Sequence, residues 1–169
     1  MSARIYLDHA ATAPLRTEAR EAMAPWLERE FGNASSLYEE GRRAREAIDA
    51  AREVVSSALG CLFGEVVFTS SGTEACNLAM VGTALAHEGG RRRVVVSAAD
   101  HHCVVNARPL IERLGYEWTP ANVNEFAVPD VHELSDAVGN DVLLVAAMHA
   151  NNELGTVTRA SEVAEIAHN

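Results

Sequence analysis

No lysine occurs in the 169 residues; all 14 basic side chains are arginine. Chemistry that needs a lysine amine as nucleophile therefore has no donor within this chain. Cysteine is scarce too. Cys61, Cys76 and Cys103 are odd in number, widely spaced and without a CxxC pair, which argues against a disulfide framework or a structural zinc site and for a reducing, cytoplasmic setting. No apolar run approaches the length of a bilayer span, and the opening MSARIYLDHAATAP lacks the basic, apolar and small-residue order of a signal peptide. The expectation is a soluble, unprocessed chain without membrane contact. Positive charge is in deficit, with a net charge of -10 and a pI near 5.1. The only dense basic patch is Arg91 to Arg93, so a nucleic-acid partner is not expected. That triplet reads as the end of a loop before a strand.

What is present describes an ordinary globular domain, with 48% hydrophobic and 22% charged residues and no repeats or low-complexity linker. Helical spacing runs from Glu18 to Arg29, with Gly32 as its C-cap, and again from about Tyr38 to Leu59. The second segment places Ala44, Ile48, Ala51, Val55 and Leu59 on one face. After Gly60 the rhythm changes to short apolar runs: Glu65 to Phe68, Arg93 to Ser97, a weak run around Tyr116 to Thr119, and Asp141 to Met148. Helical segments over 73–87, 103–114 and 131–138 alternate with them. This is the pattern of an α/β chain, a mostly parallel sheet flanked by helices.

In such folds ligands collect beyond the C-terminal ends of the strands, and three polar groups follow expected strands: SSGTE (70–74), ADHH (99–102) and HANNELG (149–155). The first is neither GxGxxG nor GxxxxGK[ST], and Ser71 or Thr73 could simply cap the next helix. A strand that ends in small hydroxyl residues and opens into a helix also leaves backbone N–H groups unpaired in one direction, which suits a phosphate. Together the three groups read as a binding crevice with an anion seat, an imidazole and an amide donor.

The ordered set YLDHAATAP (6–14), FGNASS (31–36), VVFTSSGTEACNLA (66–79), ADHHCVV (99–105) and MHANNELG (148–155) resembles the N-terminal part of the cysteine desulfurases, pyridoxal-phosphate enzymes of the class V aminotransferase group. The resemblance implies a partial fold-type I large domain, incomplete at the C-terminus. Residues 1–15 would form a segment of the substrate side and 16–169 the cofactor-binding domain. Gly72 and Thr73 would hold the cofactor phosphate, His101 would stack on the pyridine ring and move protons, and Asn152 would bond the ring hydroxyl oxygen. The backbone of Ala10 and Ala11 would border the substrate, cysteine, and no metal is implied. Asn151 and Glu153 would shape their turn. Three positions depart from the common family pattern: Asp100 stands for a Glu, Ala34 for a Pro and Tyr38 for a His.

The family's cofactor aspartate, Schiff-base lysine, substrate arginine and persulfide-forming cysteine have no counterpart in these 169 residues. Its later strands lie between the first strand and the fourth, so a complementing polypeptide resembling the C-terminal half, and association of two such pairs, are expected. The isolated chain would be inactive. Two other readings stand beside this one. The run VVVSAADHH is similar to the Asp-His-His motif of metal-dependent phosphoesterases, although their earlier Asp-x-Asp cluster is absent. A non-catalytic, regulatory or degenerate protein of the same fold would also show an incomplete site.

Overall fold

The computed structural model describes residues 4–168, which fall into two compact units, one ending at Phe68 and one starting at Thr69. The first holds two helices, α1 (Thr17–Glu28) and α2 (Glu39–Leu59). Helix α1 ends at Glu28, not at Gly32. The N–H groups of Arg29 and Glu30 both return to the Pro25 carbonyl, and Gly32 lies beyond, at φ +148, where a Cβ would stand 2.5 Å from the Glu40 carbonyl oxygen. Gly32 is thus needed for a close backbone approach at the start of α2, not for a cap. Helix α2 ends on Gly60 in the left-handed region, the usual glycine stop. Its expected apolar stripe is only partly covered: Ala44 is buried, whereas Leu59 is 73% exposed. Trp26, Phe31, Ala44, Ile48, Ala51 and Phe68 border an open apolar cleft of about 580 Å³ in this unit.

The run Glu65 to Phe68, expected as the first strand, is not one. A short 3-10 turn occupies Phe63–Glu65, and the extended residues after it pair with no strand among the described residues. Arg52 holds the segment instead, donating from Nε to the Val66 carbonyl at 3.2 Å and placing its guanidinium 5.0 Å from the Phe63 ring centre. A strand exists only through its ladder partners. Val67 accordingly stays 65% exposed.

The second unit is a three-stranded parallel sheet covered on both faces. Its elements are α3 (Gly72–Ala86), β1 (Arg93–Ser97), α4 (His102–Val105), α5 (Arg108–Arg113), β2 (Glu117–Ala121), α6 (Val131–Ala137), β3 (Val142–Ala146) and α7 (Ala160–His168). The strand order is β2-β1-β3. Central β1 is buried from Val94 to Ser97, and side chains alternate across a strand. Val94 and Val96 join Met80, Ala84, Val104 and Ile111 in one core, whereas Val95 joins Leu134 and Val142 in the other, with Val163 and Ile166 packed against it. Pro120 is tolerated because β2 is an edge strand.

The Arg91 to Arg93 triplet does lead into a strand. Arg93 binds both carboxylate oxygens of Asp141, at 2.8 and 2.9 Å, and so joins the start of β1 to the residue before β3. The helix expected over 103–114 is two helices. Pro109 supplies no N–H to the Val105 carbonyl and its ring would clash there, so the chain breaks at Asn106 and Ala107 and restarts with Pro109 in the first turn of α5.

Candidate active site

Ser71 is the N-cap of α3, its Oγ accepting the Glu74 N–H at 3.2 Å. Glu74 returns its carboxylate to the Ser70 N–H at 2.7 Å and to the Ser70 hydroxyl. Those two bonds, the hydroxyl first, hold the Glu74 carboxyl below its ordinary range. The capping reading and the anion-seat reading are therefore both realised, by different residues. Ser71 and Glu74 satisfy the turn, while the N–H groups of Gly72 and Thr73 find no acceptor among the described residues.

A Cβ on Gly72 would meet nothing within 4 Å. Two free amides, the Thr73 hydroxyl and the positive end of a 15-residue helix thus open onto accessible space. This donor set matches a phosphate dianion.

Gly72 and Thr73 line a cleft of about 620 Å³ together with Cys76, Asp100, His101, Cys103 and Met148. Asp100 and His101 follow β1, and Ala147 and Met148 follow β3, so the cleft lies beyond the C-terminal ends of adjacent parallel strands. His101 caps α4: its Nδ1 accepts the Cys103 N–H at 3.1 Å and lies 3.0 Å from Cys103 Sγ. With Nδ1 engaged as an acceptor, a neutral ring carries its proton on Nε2. Burial pushes the Asp100 carboxyl up, against the opposing pull of the His101 and Met148 N–H groups.

Asn152 is not among the residues that line this cleft; it is exposed in the loop after β3. Its neighbour Asn151 organises that loop. The Oδ1 of Asn151 accepts the N–H groups of Glu153 and Leu154, each at 2.9 Å, and Gly155 turns the chain at φ +73. Ala10 and Ala11 belong to the first unit, in a turn where the Asp8 carbonyl accepts the Ala11 N–H at 3.2 Å and the Tyr6 hydroxyl at 2.7 Å. Sequence reasoning passed over Cys76, Cys103 and Met148. Spacing alone carried a signal for two of them, since Cys76 is one helical turn beyond Gly72 and Cys103 two residues beyond His101.

The Asp-His-His reading finds no geometric support. The Asp100 carboxylate is engaged by backbone N–H groups, and among the described residues no three His, Cys, Asp or Glu side chains gather as a metal ion requires.

The family model described as Aminotransferase class-V matches residues 5–169. The chain belongs to the class-V aminotransferase family. This class-V chain is 41% identical over 167 residues to the cysteine desulfurase IscS of Dictyoglomus turgidum, a match that covers 99% of the chain and 42% of that protein. It is also 41% identical to the IscS-like cysteine desulfurase of Mycobacterium tuberculosis, covering 96% of the chain and 42% of the relative.

Among solved structures, a NifS-like protein superposes with a TM-score of 0.91 at 29% identity, covering 98% of this chain and 45% of that one. SspA in complex with cysteine superposes at 0.89 with 31% identity, covering 96% and 47%. The class-V chain thus spans less than half the length of these relatives and corresponds to an N-terminal part of a cysteine desulfurase-like protein. The family is pyridoxal-phosphate-dependent. No described helix is long and apolar enough to cross a membrane.

Proposed function

We propose that this chain supplies the cofactor-phosphate seat of a cytoplasmic, pyridoxal-phosphate-dependent cysteine desulfurase, which takes sulfur from cysteine, leaves alanine and carries the sulfur as a persulfide. The observation that carries this reading is one cleft shared by the two free amides at the start of α3 and the His101 ring. When bound, pyridoxal phosphate supplies the electron sink for bond changes at the substrate carbons.

The chain's own residues bind and orient. The N–H groups of Gly72 and Thr73 and the Thr73 hydroxyl hold the phosphate at the positive end of α3. His101 is the ring-stacking group, and the cap that occupies Nδ1 leaves Nε2 to hold or pass on a proton. Asn152 is assigned to the ring hydroxyl oxygen. Residues 1–15, with the Ala10 and Ala11 backbone, are assigned to the substrate side and 16–169 to the cofactor-binding domain.

An amine must come from elsewhere, because the chain holds no lysine, and the resemblance adds a cofactor aspartate and a sulfur-accepting cysteine to the groups still needed. We assign them to a complementing polypeptide similar to the family's C-terminal half, with two such pairs associating. Support comes from exposed apolar side chains that soluble proteins ordinarily cover, Leu59, Val67, Leu85 and Val157 among them.

The test is reconstitution. The chain alone with pyridoxal phosphate is expected to give no lysine Schiff-base absorbance that survives dialysis and no sulfide from cysteine when a dithiol reductant is supplied. Both are expected on co-expression with the complementing polypeptide. Sulfide release by the chain alone, or a monodisperse monomer that ignores that polypeptide, would reject the proposal.

A further inference from the structure

Two thiols stand in the wall of the cleft, and the cofactor role uses neither. Cys76 projects from α3 and Cys103 from α4; both line the cleft and both pack against the same core cluster. Asn77, the neighbour of Cys76, donates from Nδ2 to the Cys103 carbonyl at 3.3 Å and so ties the two elements together at this point. Both cysteines are half-buried, which leaves them open to a small reagent entering the cleft.

The His101 Nδ1 to Cys103 Sγ distance of 3.0 Å suits a thiol donating to an imidazole nitrogen; the Cys103 N–H donates to the same nitrogen, so the ring takes the thiol proton, as the Cys103 thiolate forms, by releasing that cap. Cys76 differs. Burial, and then the adjacent Cys103 thiol, push its thiol up. Cys61 is the third free thiol and belongs to the other unit.

We propose that Cys103 and Cys76 form a redox pair that reduces a small-molecule disulfide and closes to an intramolecular disulfide in the cleft wall. Cys103, its proton passed to His101, attacks one sulfur of the reagent. The reagent S–S bond breaks, its other half leaves as a thiolate that takes up a proton, and a mixed disulfide remains on Cys103. The Cys76 thiolate then attacks the Cys103 sulfur and expels the second half as a thiol. Two protein thiols are oxidised and one disulfide is reduced to two thiols, so atoms and electrons balance. Closure removes the S–H group from His101 and fastens α4 to α3. This chemistry needs no cofactor, and its test is separate from that of the proposed function.

The experiment treats the full chain, isolated under native conditions, with oxidised glutathione and maps thiols by peptide mass spectrometry. The expected product is a Cys76–Cys103 link, lighter by two hydrogens, with Cys61 still free. Cys76→Ser, and equally Cys76→Ala, is expected to trap the glutathione adduct on Cys103, whereas Cys103→Ser leaves Cys76 free. His101→Gln slows formation of the adduct several-fold. A wild-type adduct on Cys103 that never resolves, a link that forms only in denaturant, or modification of Cys61 ahead of Cys103 would each overturn the proposal.

Discussion

Replacing Thr73 by Val removes one hydroxyl donor from the α3 terminus and keeps the side-chain shape. The seat presents two backbone amides and that hydroxyl. A hydrogen bond to a charged group contributes about 1.5–3 kcal/mol. Gly72 and Thr73 are both exposed, so water competes for the anion and the lower end applies. Affinity for inorganic phosphate or pyridoxal phosphate is then expected to fall about tenfold. Ser71→Ala is the matched control: it removes the cap bond to the Glu74 N–H and is expected to cost about 1 kcal/mol of stability. The assay is a phosphate titration followed by amide resonances, in which Gly72 and Thr73 should move most, paired with thermal unfolding of each variant. The two substitutions should separate, Thr73→Val acting on binding and Ser71→Ala on stability. If Thr73→Val binds within twofold of the parent, or if phosphate shifts amides elsewhere, the assignment of the seat is wrong.

Two further outcomes follow from contacts near the site. Tyr116 donates its buried hydroxyl to the Ala84 carbonyl at 2.7 Å, satisfying one of the last carbonyls of α3; Tyr116→Phe is expected to lower stability by about 1–3 kcal/mol in denaturant unfolding, and an unchanged midpoint would refute this. Glu74 is an acid held below its ordinary value of 4.5, chiefly by the Ser70 hydroxyl and then the Ser70 N–H. Its contribution is therefore present above that value and lost as pH falls through the lower, folded one. Amide exchange at the start of α3 should accelerate over that acid window, and Glu74→Gln should remove the step; a step that persists in Glu74→Gln assigns it to another group.

The expected parallel sheet was legible because β1 and β3 are short apolar runs separated by helical spacing, and buried parallel strands are apolar on both faces; the edge strand β2, EWTPA, showed only as a weak run. The crevice was legible only in outline: ADHH follows β1 as expected, whereas SSGTE follows no strand among the described residues and reaches the cleft at the start of α3. Gly72, Thr73 and His101 do share one cleft. The ends of the segment around Pro109 were not read, although the missing N–H that divides α4 from α5 is a property of that residue alone.

Composition and local pattern by themselves determined that this chain offers no lysine, that α3 opens with a cap, and that β1 is a core strand. These depend on residue chemistry and on spacing within a few residues. Only the tertiary structure decided that Glu65 to Phe68 is not a strand, since a ladder needs a partner that no local pattern supplies. It also decided that Asn152 stands outside the cleft that Gly72, Thr73 and His101 share. The meeting of Cys76 with Cys103 and His101 is of the same kind. Residues far apart in sequence become one chemical group only when α3 and α4 pack against the same face of the sheet.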